Sequence, residues 1–208
     1  MNALKKISLA FFLLLCFSLQ SIHAQAQQRF KAGLLFGLNA SQIRGDESAG
    51  YNKLGLHGGL RAVAVLKERM DLSIELLYAQ RGSYLKGGIS TAGDLKINLQ
   101  YAEVPVLFTY KDWLHEEDNY YKIQASGGFS YGRLLSVKAE GSFHDEETEH
   151  FNTNDISFTI GAEYFTNRHF SIGARWTTSL NLLYNHKHNV NLDSLRGYFL
   201  SFRGAYIF

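Results

Sequence analysis

Cysteine is almost missing from this chain, with one residue, Cys16, in 208. That residue lies inside a predicted secretory signal over residues 1–26. Lys5 and Lys6 supply the positive start, Leu9 to Leu19 the apolar stretch, and Ala24-Gln25-Ala26 the small-residue cleavage pattern. Leu15 precedes Cys16, where a lipid-modified cysteine would need a small residue. Cleavage after Ala24 or Ala26 leaves a mature chain, residues 27–208, with no thiol, so disulfide and cysteine chemistry are excluded. Charge of one sign is missing too. The signal holds two Lys and no acid, so mature Lys+Arg is 21 − 2 = 19 against 19 Asp+Glu. A formally neutral chain has no basic footprint for nucleic acid. Beyond the signal no run approaches the ~20 apolar residues that a spanning helix requires. Membrane residence, if any, is therefore as a barrel. Proline occurs once, Pro105, which suits a chain of ladders that proline would interrupt.

What the chain does have is alternation. Its last eleven residues place Tyr198, Leu200, Phe202, Gly204, Tyr206 and Phe208 on one face. Phe199, Ser201, Arg203, Ala205 and Ile207 fall on the other, a period of two that predicts a strand. An apolar strand of this kind invites aggregation at an open edge, and a closed sheet removes the edge. Seven further segments alternate in the same way: 30–40, 54–66, 70–81, 95–110, 120–137, 156–165 and 170–180. In the fourth, Leu95, Ile97, Leu99 and Tyr101 are odd while Val104, Val106, Phe108 and Tyr110 are even. A bulge near Glu103, beside Pro105, is expected to switch the phase and turn both sets to one face.

The connections alternate in length: 41–53 long, 67–69 short, 82–94 long, 111–119 intermediate, 138–155 long, 166–169 short and 181–197 long. Outer-membrane barrels have short periplasmic turns and longer external loops. The predicted fold is thus all-β, an eight-stranded antiparallel up-and-down transmembrane β-barrel, with apolar residues toward lipid and mixed residues inside. Tyr78, Tyr110, Trp113, Tyr120, Tyr121, Tyr164, Phe170, Trp176, Tyr198 and Phe208 sit near strand ends, as interfacial girdles require.

By parity Arg61, Glu75, Glu103, Glu163, Arg175 and Arg203 point inward, three of each sign. Arg61 and Glu75 are equidistant from Glu68 and should lie opposite each other across a hairpin; Glu163 and Arg175 are offset by one diagonal. Charges in so narrow a space are costly unless paired. The six are expected to form a network that fills the lumen, and exchanging Arg61 with Glu75 should preserve the pairing. A selective pore or proton path is the alternative use of the same residues. His144, Asp145, His150, Asp155, His186 and His188 are assigned to external loops. His186-x-His188 could offer two metal ligands, but no further spacing completes a site, so no metal or cofactor is expected. Ser142, His144 and Asp145 invite comparison with membrane lipid hydrolases. Neighbours in a loop do not make a nucleophile–base–acid geometry, so no catalytic residue is assigned. The acidic run Glu140, Asp145, Glu146, Glu147 and Glu149 reads as a solvated face that could approach lipopolysaccharide phosphates through divalent ions.

Three stretches carry a family resemblance: Leu72-Ser-Ile-Glu-Leu-Leu-Tyr-Ala-Gln-Arg-Gly82, Leu99-Gln-Tyr-Ala-Glu-Val-Pro-Val-Leu107, and Tyr120 to Leu135 with Gly127-Gly128. Together with the order of hairpins and loops, they resemble the PorT-like outer-membrane β-barrel family common in Bacteroidota. The resemblance implies an integral outer-membrane protein with a structural or interaction role through its external loops. It also implies partners among outer-membrane lipid and lipopolysaccharide, envelope or secretion-system proteins, and the barrel assembly machinery. Phe202, Tyr206 and Phe208 resemble the terminal signal which that machinery reads, although the glycine of the usual pattern stands at Gly204 rather than at Arg203.

Overall fold

A computed structural model describes residues 29–44, 51, 53–85, 95–140, 151–183 and 196–208. Eight strands follow one another: β1 Phe30–Arg44, β2 Lys53–Lys67, β3 Met70–Leu85, β4 Leu95–His115, β5 Tyr120–Glu140, β6 Asn154–Phe165, β7 Phe170–Ser179 and β8 Arg196–Ile207. Each pairs antiparallel with its sequence neighbour, and β1 pairs with β8, so the sheet closes as an up-and-down barrel. The predicted signal at 1–26 lies outside the described residues, as do Ser142, His144, Asp145, His150, His186 and His188.

The outer wall inverts the usual rule for soluble proteins, which bury their large apolar side chains. Leu34, Phe36, Leu38, Leu56, Leu60, Ile74, Leu76, Phe108, Ile160, Ile172 and Phe202 all stand exposed. The predicted girdle aromatics Tyr78, Tyr110, Trp113, Tyr164 and Trp176 are exposed beside them. The alternate positions are buried and are mostly polar or charged. That pairing of faces is the transmembrane barrel pattern.

One strand departs from expectation. β4 makes no phase switch: its odd residues face inward from Ile97 through Lys111, and its even residues face outward from Val106 to Tyr110. Pairing with β3 keeps one register on both sides of Pro105. The irregularity sits elsewhere, in β5, where Gln100 pairs with Ser136 but Tyr101 with Leu134, leaving Leu135 as the extra residue. The bulge turns Val137 onto the same side as Leu134, and both pack on a buried cluster of Ile97, Leu99, Tyr101, Phe151 and Leu183. The apolar residues at the start of β4 therefore line the lumen at the long-loop end, where the hydrophobic effect favours a small dry core over contact with water. Phe151 and Leu183 arrive from the connections before β6 and after β7, fastened where the Asn152 amide donates to the Leu183 carbonyl at 2.7 Å.

The other end is simpler. β4 runs on to His115, further than predicted, so the intermediate connection shrinks to residues 116–119. All connections at that end are then short: 68–69, 116–119 and 166–169.

Candidate functional site: the lumenal charge tiers

The site is the interior, and period two builds it. Alternate positions of β2, β3, β6, β7 and β8 bring Arg61, Glu75, Glu163, Arg175 and Arg203 to one level of a barrel whose eight strands leave room only for side chains. Arg61 lies directly across from Glu75 in the β2–β3 ladder. Its Nε donates to Glu75 Oε1 at 2.9 Å, and its Nη1 and Nη2 donate to the two oxygens of Glu163 at 2.9 and 2.6 Å. Arg175 donates to both oxygens of Glu75, at 2.8 and 3.1 Å. Arg203 reaches Glu75 at 3.3 Å and also donates to Glu163. Glu163 and Arg175, offset by a diagonal in sequence, are both members of this belt, yet each takes other partners. Room for the Glu163 side chain comes from Gly173 directly opposite, where an added Cβ would stand 2.6 Å from Glu163 Cγ. The belt holds three arginines against two glutamates, one positive charge in excess.

A second tier lies toward the long loops. Arg81 forms ion pairs with Glu103 at 2.5 Å and with Asp155 at 2.7 Å, and all three are buried. One cation against two acids leaves one negative charge, which offsets the excess of the belt. The Arg81 guanidinium also lies 3.9 Å from the Phe199 ring centre and 4.9 Å from that of Tyr101. Such stacking joins the ion pairs to the apolar lid above them. A third pair, Lys111 with Asp71 at 2.7 Å, closes the short-turn end.

The sequence expectation placed Asp155 in an external loop. Here it is the second residue of β6, fully buried, and its Oδ2 accepts from Ser157 Oγ at 2.9 Å and from the Arg81 guanidinium at 2.7 Å. β6 starts two residues earlier than predicted, and the same inward parity continues into Asp155. Arg81, Asp71, Lys111 and buried His57 were not singled out either. Arg81 and Asp71 share the parity of Glu75 on β3, and Lys111 that of Glu103 on β4, so parity carried through to the strand ends would have found them. Phe202, Tyr206 and Phe208 all lie on the outer face, with Tyr206 edge-on to Phe208 at 5.6 Å between ring centres. Among the described residues no group of His, Cys, Asp and Glu could hold a metal ion.

Little space remains between the tiers. Three voids of about 10 Å³ each lie along the lumen among the described residues, room for about one water apiece.

Residues 24–185 match the outer membrane protein beta-barrel domain family. The chain belongs to that family. It is therefore an outer-membrane β-barrel, and solved outer-membrane barrels align with it. Neisserial surface protein A aligns at 9% identity and TM-score 0.50, over 84% of this chain and 96% of that one. The attachment invasion locus protein Ail of Yersinia pestis aligns at 12% identity and TM-score 0.49, over 86% and 98%. Outer membrane protein W of E. coli aligns at 13% identity and TM-score 0.40, over 88% and 100%. At 9% identity the likeness to Neisserial surface protein A concerns fold alone. No curated protein matches the chain.

Proposed function

We infer that this barrel is a closed outer-membrane protein with a structural or interaction role carried by its long loops, and neither a conduit nor an enzyme. The observation behind this is the interior. Two buried charge tiers and an apolar lid fill its middle and its long-loop end, where the voids among the described residues are of single-water size. A wet pore of this family type would need a continuous polar lumen. The charge-matched tiers serve to fill and tie the wall together, since each guanidinium reaches strands far apart in the chain.

The expected partners are lipopolysaccharide and outer-membrane lipid around the wall, and envelope proteins at the loops. The PorT-like resemblance makes secretion-system proteins the first to seek by affinity capture from native membranes. Phe202, Tyr206 and Phe208 present the aromatic row that the assembly machinery would read. Wild-type protein reconstituted in a planar bilayer should give no steady conductance. A stable ohmic channel would overturn the closed reading and make the protein a pore.

A further inference from the structure

We propose that the short-turn mouth of the barrel is a binding site for a small oxyanion, a phosphate group above all. A pocket of about 350 Å³ opens there, below the belt. That is within the size range of small-ligand sites, roughly 300–1,000 Å³. Its floor is the buried Arg61, and Lys111 and Asp71 form one wall. Val63, Phe165 and Ile207 supply apolar surface. Tyr121 folds across the rim, its hydroxyl donating to Glu68 at 3.0 Å and its ring 5.7 Å from Lys111 Nζ.

The charge balance of this pocket points to an anion. Asp71 takes up Lys111, and Glu75 and Glu163 take up Arg61. Two lining cations, Lys31 from the start of β1 and Arg168 from the 166–169 turn, make no ion pair among the described residues. Among the lining residues only Glu68 stands against them. Loose cations on open surface need no ligand, because water screens them. Here they rim a concavity with an ion-paired arginine at its floor and low-dielectric walls, which concentrates the field of the rim cations on whatever enters. Lysine offers a point charge and arginine a planar fork, and both are phosphate-binding groups. The short-turn end of such barrels faces the periplasm. The phosphate would thus come either from a free periplasmic anion or from a phospholipid headgroup of the inner leaflet.

The test uses the full mature barrel in a zwitterionic detergent, with backbone amide NMR shifts as the readout. Inorganic phosphate is titrated in one arm and short-chain phosphatidylglycerol in the other, at constant ionic strength. Saturable shifts clustered at residues 31, 61, 111 and 168 are expected. The double variant Lys31→Gln/Arg168→Gln, whose sites lie at the rim away from the packed tiers, should weaken binding by on the order of tenfold or more. Saturation in both arms identifies a free anion site, and saturation with the lipid alone identifies a headgroup site. An unchanged affinity in the folded double variant, or shifts that grow linearly in both arms, would overturn the proposal.

Discussion

Glu75 shows how much one residue can carry inside a narrow barrel. It accepts from Arg61, Arg175 and Arg203, and so serves three strands from a fourth. Removing one member of a buried ion pair costs about 3–5 kcal/mol, because the partner is left charged and unpaired. Glu75→Ala strands three guanidinium groups around Glu163 alone. Arg61→Ala is milder, since Arg203 still spans both glutamates and Arg175 still holds Glu75. Thermal unfolding in detergent should therefore rank Glu75→Ala well below Arg61→Ala in midpoint. The exchange Arg61→Glu/Glu75→Arg, rescuing if the two formed an isolated pair, should unfold lower than either single change. It would put an arginine against Arg175 and Arg203, and a glutamate against Glu163. Recovery of the wild-type midpoint in the exchanged protein would show the pair to be independent of the belt.

Among the elements, the seam between β1 and β8 decides closure, because these strands lie furthest apart in sequence. Phe36 and Gly204 face each other across it on the outer wall. A Cβ on Gly204 would stand 2.6 Å from the Phe36 ring, so the ring rests on the glycine itself. This explains why glycine stands here, one residue after Arg203, which belongs to the lumen. Overpacking a close contact costs about 1–3 kcal/mol. Gly204→Val should lower the temperature at which the compact form converts to the unfolded form in gel-mobility assays. Phe36→Ala should restore part of the loss in the double variant. Strictly additive losses in the two substitutions would show that the ring and the glycine do not share one contact.

For the whole molecule, short turns gather at one end and long connections at the other, and in such barrels the long ones face outward. A protease site inserted near Glu146 should be cut on intact cells, and one near Asn167 should be protected. The reverse pattern would invert the barrel in the membrane.

Much of this was legible in the sequence, because a β-strand sends alternate residues to opposite sides. That geometric fact places Arg61, Glu75, Glu163, Arg175 and Arg203 inside and Leu56, Ile74 and Phe202 outside before any coordinates exist. Symmetry about Glu68, the centre of the expected connection 67–69, also sets Arg61 across from Glu75; the hairpin reaches that register through a two-residue turn followed by a bulge between Val65 and Lys67. Parity says which face a residue takes but not what occupies that face at a given height. For β4 the apolar run Ile97, Leu99 and Tyr101 fits lipid or a dry lid equally well. Only Phe151 and Leu183, brought in from connections remote in sequence, decide for the lid. Likewise the partners of Glu75 include Arg175 and Arg203, 100 and 128 residues away in sequence. No local pattern encodes that meeting; it follows from closure, which brings five strands to one level around a lumen too narrow for their charges to avoid one another.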